Sequence, residues 1–381
     1  MNSVNESTQD QIDEIDTVIH VGAERLSEYL PLLQDKKVGI VGNQSSRIHE
    51  THLVDSLLSL DVEIVKVFSP EHGFRGDADA GEHVKSQVDK KTGLPLVSLY
   101  GSNKKPRQDQ LTGIDIMIFD IQDVGARFYT YISTMSYVME ACTEAGIQLV
   151  ILDRPNPNGH YVDGPVLDMN YKSFVGMHPV PIVHGMTIGE YAQMINGEGW
   201  LSGGMECKLI VIECLNYDHQ TAYSLPVNPS PNLRSDVSIQ LYPSLCLLEA
   251  TNVTVGRGTD GPFERYGHPS FPETGYSFTP TPGYGSKSPK FKNQKCHGYD
   301  LDKKEYYRMD SLDLSFLLKS NDLLKSKLFT GKVSSFNRLA GNNKLISQVQ
   351  KGLTEKEIRE SWEPKLSEFK KKRQKYLLYK D

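Results

Sequence analysis

The amino-acid sequence predicts a doubly wound α/β domain built on a parallel sheet, followed by a smaller α+β domain. Three observations carry this. Short apolar runs alternate with helix-length connections through the first half of the chain. The runs are apolar almost throughout, as strands buried on both faces of a parallel sheet are. Beyond Gly164 the texture changes, and past a boundary around residues 217–232 the chain mixes Gly-rich loops with isolated helices.

Taken in order, residues 1–17 are rich in Ser, Asn, Gln, Asp and Glu, which predicts a disordered tail. Residues 23–33 read as a helix, with Leu26, Tyr29, Leu30 and Leu33 at three- and four-residue spacing. The predicted strands are residues 38–41, 62–68, 114–121 and 147–152. A helix over 133–145 precedes the fourth and stops at Gly146. Residues 188–196 read as a helix with Glu190 near its start, and 208–214 as a further strand. The segment 225–233 carries three prolines and is neither helix nor central strand. The domain boundary is placed here, giving a tail (1–17), a catalytic domain (18–222) and an auxiliary α+β domain (223–381). In the last, helices are predicted at 242–249, 312–324 and 355–379, with Gly-rich loops up to about residue 284.

Composition narrows the partners. A formal charge of −6 gives no electrostatic reason to bind nucleic acid or an anionic membrane. The basic run Lys370-Lys371-Lys372-Arg373 reads as the solvated face of a helix. No apolar stretch approaches the roughly 20 residues of a membrane span. The polar, acidic N-terminus lacks the basic and apolar regions of a signal peptide, so an internal and an exported location both stay open. Five scattered cysteines without a Cys-x-x-Cys pair read as buried free thiols rather than a disulfide or zinc framework.

The chemistry is concentrated after the strands. The first strand runs into Gly42-Asn43-Gln44-Ser45-Ser46, the second into Ser69-Pro70-Glu71-His72-Gly73-Phe74-Arg75-Gly76. The third runs into Gln122-Asp123-Val124-Gly125-Ala126-Arg127, the fourth into Asp153-Arg154-Pro155-Asn156. Strand carboxyl ends share one sheet edge, where ligands bind in open α/β sheets. Caps and turns explain any one such loop; they explain less well why Glu71, His72, Arg75, Asp123, Arg127 and Arg154 all fall there. Glu71, following Pro70 and an apolar strand, is the candidate general acid, since burial raises a carboxyl pKa towards neutrality. Glu82 is a candidate second carboxylate, and His72 or Arg75 a group that orients Glu71 or binds an anion. Tyr129 is placed to stack on or donate to a sugar.

Rival chemistries fit less well. Gly256-Arg257-Gly258-Thr259-Asp260-Gly261 matches a dinucleotide fingerprint, but no helix opens after it and it is far from the first strand, so no nicotinamide or flavin cofactor is expected. The serious rival is a metal-dependent hydrolase on the same sheet edge: His72, Asp120, Asp123, Asp153 and His184 offer metal-ligand types, but without a recognised metal-binding spacing, so the metal-free reading is preferred. A Gly-x-Ser-x-Gly elbow is missing.

The Ser69–Gly76 run, Phe119-Asp120-Ile121-Gln122-Asp123-Val124-Gly125-Ala126-Arg127, Leu152-Asp153-Arg154-Pro155-Asn156-Pro157, His184-Gly185-Met186-Thr187 and Pro229-Ser230-Pro231-Asn232 resemble the NamZ-type exo-β-N-acetylmuramidases, a glycoside hydrolase family once catalogued as a domain of unknown function. The likeness continues through Glu249-Ala250-Thr251-Asn252, Gly256-Arg257-Gly258-Thr259 and Pro262-Phe263-Glu264 to the terminal Tyr376-Leu377-Leu378-Tyr379. Ala126, where larger aliphatics are common, and Asn158 are small departures. The resemblance implies a Rossmann-like catalytic domain, an auxiliary domain and a cleft between them. It also implies release of N-acetylmuramic acid from the non-reducing end of peptidoglycan fragments, in cell-wall turnover and recycling, and a periplasmic or secreted location. It places Glu71 as the acid, with His72, Glu82 and Asp123 as further catalytic candidates. Substrate-binding candidates are Asn43, Arg75, Arg127, Tyr129, Asp153, Arg154, Asn156, His184, Asn232, Asn252, Arg257 and Glu264. The sugar's lactyl carboxylate calls for a guanidinium, with Arg75, Arg127, Arg154 and Arg257 as candidates. Its acetamido group permits a substrate-assisted route, in which Asp123 or Glu82 would orient the amide; a two-carboxylate mechanism stays open.

Overall fold

The computed structural model describes residues 17–71, 73–75, 87–303 and 306–381. The predicted tail, apart from residue 17, and the candidates His72 and Glu82 lie outside the described residues.

The chain enters through helix α1 (Leu26–Leu33) and strand β1 (Val38–Gly42), then a small hairpin of β2 (Arg47–Ile48) and β3 (Thr51–His52). Helix α2 (Leu53–Ser59), β4 (Ile64–Ser69), β5 (Gln87–Val88), β6 (Pro95–Ser98), α3 (Gln108–Leu111) and β7 (Ile116–Asp120) follow. Helix α4 (Tyr131–Ala145), β8 (Gln148–Leu152), α5 (Ile188–Gly197) and β9 (Leu209–Ile212) complete the sheet. Its order is β5-β6-β4-β1-β7-β8-β9, parallel except for β5 at the edge. Numbered by sequence, the six parallel strands run three-two-one-four-five-six, the order of a Rossmann sheet. All four predicted strands and the strand near 208–214 are present. The short β6, begun by Pro95 and only partly apolar, gave too weak a pattern to read.

Both central strands are buried along their whole length, which is why their sequences run apolar without alternation. Helix α4 ends where Gly146 takes φ 71°, a left-handed cap that a side chain would strain. Helix α5 starts at a capping box: Thr187 Oγ1 accepts the Glu190 amide while the Glu190 carboxylate accepts the Thr187 amide at 2.8 Å.

The rest of the chain holds α6 (Asp236–Glu249), then β10 (Arg265–His268), β11 (Ser277–Phe278) and β12 (Cys296–Asp300) as an antiparallel sheet of order β10-β12-β11. Helices α7 (Ser315–Leu324), α8 (Val333–Ala340), α9 (Lys344–Gln350) and α10 (Glu355–Arg373) close it. Helix α6 begins six residues before the predicted one and carries Pro243 inside it. It is buried nearly all round and ties the halves together: Gln240 Nε2 donates to Pro157 O, and Ile239 O accepts from Asn158 Nδ2. One hydrophobic core consequently runs from Val41 to Phe369 across the predicted boundary.

The basic run at the end of α10 is only partly a solvated face. Arg373 is 4% exposed, donates to Gly185 O and pairs with Asp381, while Lys372 pairs with Glu198. Charge patterning cannot register that the last turn packs against α5. All five cysteines are buried free thiols. Among the described residues no helix is long and apolar enough to cross a membrane.

Candidate active site

Strand order fixes where a crevice opens. From β1 the chain turns towards β4 on one side, and from β7 towards β8 on the other, so their exit loops diverge at the topological switch point. Pairing of Gly42 with Asp120 brings Asn43 and Ile121 level at that opening. The two loops are pinned together: Ser46 Oγ donates to Asp120 O, and the Gln122 amide donates to Ser45 Oγ at 3.0 Å.

At the crevice the polar groups are positioned but incompletely used. Asn43 is fully buried; its Oδ1 accepts the Ser45 amide and hydroxyl at 2.9 and 2.6 Å. Its Nδ2 makes no hydrogen bond among the described residues. Asp123 is 3% exposed, with Oδ2 held by the Gly125 amide at 2.7 Å and Oδ1 unpartnered among the described residues. That amide is delivered by a turn with Gly125 at φ 74°, where an added Cβ would strike Asn156. Burial pushes the Asp123 carboxyl up to about 7 despite the amides of Gly125 and Val124. His184 lies behind it, fully buried. Its Nδ1 accepts the Met186 amide at 3.3 Å, so the neutral ring carries its proton on Nε2, 3.8 Å from Asp123 Oδ2 and without a hydrogen-bond acceptor. Burial, then the charges of Arg373 and Arg127, hold its pKa down to about 3.

Glu71 comes in from the end of β4, half-buried. It approaches Tyr100, which follows β6: burial first, then the Glu71 charge and a hydrogen bond to it, raise the Tyr100 hydroxyl to about 12. Glu71 also contributes, after burial, to an upward shift at Tyr131. Tyr129 and Tyr131 pack edge to face, 4.9 Å apart, and both hydroxyls donate to Pro229 O, at 2.8 and 3.4 Å. Gln44 Nε2 reaches the same carbonyl at 3.2 Å. The proline-stiffened segment 225–233 therefore lies over the crevice, held by residues from β1 and β7. On its outer side a cavity of about 230 Å³ is lined by Gln44, Arg75, Asn228, Ser230, Arg234 and Tyr284 among others. A larger cavity, about 630 Å³, lies beside Leu30, Leu33, Asp61 and Val62, which lead into the amino ends of β1 and β4 on the opposite sheet edge.

Of the predicted site residues, Glu71, Asp123, Asn43, His184 and Tyr129 gather around this crevice, and Arg75 lines its outer cavity. The other described ones are held by the protein itself. Arg127 donates to the carbonyls of Pro165, Val180 and Leu339. Arg154 pairs with Asp120 at 2.6 and 2.9 Å. Asp153 accepts from Thr187, Gly189 and Tyr379. Asn156 braces Met186 and Asn158, and Asn252 holds Lys327 O. Arg257 pairs with Glu249, and Glu264 accepts from Ser235. Asn232, closer to the outer cavity, donates to Gly285 O at 2.7 Å. No three His, Cys, Asp or Glu side chains converge as a metal site among the described residues. Sequence reasoning missed Tyr100 and Arg234, which lie outside the quoted motifs, and passed over Gln44 although it stands in the Gly42–Ser46 loop.

Residues 38–237 match the family model of the N-terminal part of the exo-β-N-acetylmuramidase NamZ, and residues 240–379 that of its C-terminal part. The peptidoglycan β-N-acetylmuramidase NamZ of Bacillus subtilis (strain 168) is 39% identical, over 93% of this chain and 89% of that protein. Two DUF1343 family proteins of Bacteroides fragilis NCTC 9343 have similar crystal structures. One superposes with a TM-score of 0.89 at 44% identity, covering 96% of this chain and 99% of that one. The other gives 0.81 at 27% identity, covering 96% and 100%. With both family models matched in order along nearly its whole described length, the chain belongs to the exo-β-N-acetylmuramidase NamZ family.

Proposed function

We propose that the chain is an exo-acting glycoside hydrolase that releases N-acetylmuramic acid from the non-reducing end of peptidoglycan fragments, without a catalytic metal. The observation that carries this reading is the switch-point crevice. A half-buried glutamate, Glu71, shares it with a buried carboxylate, Asp123, one of whose oxygens has no partner among the described residues. A buried polar atom without a partner costs free energy, so a fold that keeps several in one crevice holds them for a ligand.

In the mechanism we infer, Glu71 protonates the glycosidic oxygen as the bond to the anomeric carbon breaks. The sugar's own acetamido oxygen closes on that carbon, and the Asp123 carboxylate accepts the acetamide N–H, which keeps the amide oriented and stabilises the positive charge that develops. Asn43 Nδ2 is a further donor for the bound sugar. Glu71, now a base, takes a proton from the water that opens the cyclic intermediate. This supports a place in cell-wall turnover and recycling, and a location outside the cytoplasm where such fragments arise.

The test is release of N-acetylmuramic acid from a chromogenic β-N-acetylmuraminide. Activity should persist after exhaustive chelation and fall steeply as fluorine is added to the N-acyl group. Loss on chelation restored by a divalent cation would overturn the metal-free reading, and a rate insensitive to fluorination would overturn the substrate-assisted one.

A further inference from the structure

The substrate proposed above differs from an N-acetylglucosaminide by one lactyl carboxylate, and the four arginines singled out in the sequence do not offer it a free positive charge. Arg127 faces three main-chain carbonyls and no carboxylate among the described residues, but it is fully buried and does not line the cavity, so a ligand cannot reach its charge. Arg154 and Arg257 are each matched to a carboxylate, Asp120 and Glu249. Arg75 lines the outer cavity but stands between two aspartates, with Nε and Nη2 on Asp89 at 3.0 and 2.8 Å and Nη1 on Asp55 at 3.3 Å. Its guanidinium is strong enough to hold the Asp89 carboxyl well below the usual carboxylate range. A substrate carboxylate there would meet a cation already neutralised.

Arg234 differs. It lines the same cavity and is half-buried. Its Nε donates to Pro231 O at 2.6 Å and its Nη2 to Tyr284 O at 2.9 Å, and no carboxylate pairs with it among the described residues. Two neutral carbonyls thus fix the plane of the guanidinium while no described carboxylate compensates its charge. A side chain ordered in advance loses little entropy on binding, and a carboxylate is the partner that an uncompensated guanidinium selects. Tyr284, 61% exposed, sits beside it with its ring centroid 6.0 Å from the guanidinium carbon. This gives the cavity an aromatic wall next to the charge. Gln44 and the segment around Pro229 are shared by the cavity and the crevice, which makes them neighbours across that segment.

We propose that Arg234 recognises the lactyl carboxylate and so sets selectivity for muramides over glucosaminides. This rests on the muramidase reading, and the experiment keeps the two apart by measuring binding as well as turnover. Free N-acetylmuramic acid and N-acetylglucosamine are titrated calorimetrically into the wild type, Arg234→Gln and Arg234→Lys. The 4-nitrophenyl β-glycosides of both sugars are then assayed. Arg234→Gln puts an amide N–H near the position of Nε, within reach of Pro231 O, and removes both the charge and the bond to Tyr284 O. It should weaken binding of N-acetylmuramic acid and raise KM for the muramide about tenfold or more, with kcat nearly unchanged. Arg234→Lys should recover part of the loss. Whatever affinity N-acetylglucosamine has should be the same in all three proteins. Equal binding of N-acetylmuramic acid by the wild type and Arg234→Gln overturns the proposal. So does an equal loss for both sugars, which marks a loosened loop. If the wild type binds N-acetylmuramic acid through Arg234 but releases none from the muramide, the hydrolase reading fails and the binding assignment stands.

Discussion

Two clusters of buried polar residues occupy the same sheet edge and differ in one respect. Around the end of β8, the carboxylate oxygens are taken. Asp120 is matched by Arg154, and Asp153 by Thr187, Gly189 and Tyr379. Glu190 is matched by the Thr187 amide, His219 and the Leu378 amide. At the β1–β7 crevice, Asp123 Oδ1, Asn43 Nδ2 and His184 Nε2 are left without partners among the described residues. Both clusters are rich in the residue types that suggest catalysis. His219 Nδ1 and Asn158 Oδ1 are also unpartnered among the described residues beside the β8 cluster, so the difference lies in the carboxylates. Whether a buried carboxylate is satisfied, more than residue type, separates the structural cluster from the one we read as arranged for a ligand.

Breaking the crevice should cost rate, and breaking the β8 cluster should cost stability. The largest effect is expected from Glu71→Gln, which removes the acid while keeping the shape. Turnover of a chromogenic muramide should fall about 10³-fold with an unchanged thermal midpoint. Next, Asp120→Asn leaves Arg154 buried beside a neutral amide and should destabilise the fold by about 3 kcal/mol, read by denaturant titration. Its kcat per folded molecule should stay close to wild type. If Asp120→Asn instead abolished turnover in a stably folded protein, the division between the clusters would be wrong.

Asp123→Asn sharpens the contrast through pH. The folded carboxyl titrates near 7, above its unfolded value, so ionisation opposes folding. The stability that the protonated form contributes is present below the unfolded pKa and lost as pH rises through about 7. Asp123→Asn should therefore lose less stability than wild type between pH 5 and about 8, while kcat/KM falls about 10²-fold. The wild-type rise of kcat/KM through neutrality should vanish with it. The smallest effect belongs to Thr187→Ala, which deletes the cap of α5 and one Asp153 partner. A loss of about 1 kcal/mol in stability with little change in rate is expected.

Much of the fold was legible because parallel strands are buried on both faces and announce themselves as apolar runs, as residues 38–41 and 114–121 did. The edge strand at Pro95–Ser98 and the antiparallel sheet from Arg265 to Asp300 were not, being short, polar or interrupted. Helix α6 was read late because Pro243 and its nearly all-round burial hide its period. At the site, position was legible and partnership was not. Strand ends place Asp123 and Asp153 on one rim equally well. Only the three-dimensional arrangement reveals that Tyr379, more than two hundred residues away, has already claimed Asp153. The same holds for the arginines: sequence cannot say that Asp55 and Asp89 surround Arg75, or that Arg234 faces carbonyls instead.

The central claim is that the β1–β7 crevice, and not the β8 cluster, holds the scissile bond. A crystal structure of Glu71→Gln with a bound β-N-acetylmuraminide tests it most directly. The residue 71 side chain should lie at hydrogen-bond distance from the glycosidic oxygen, with the acetamide N–H on Asp123. A sugar seated instead against Asp153 or Arg154, or with its acetamide remote from Asp123, would contradict it.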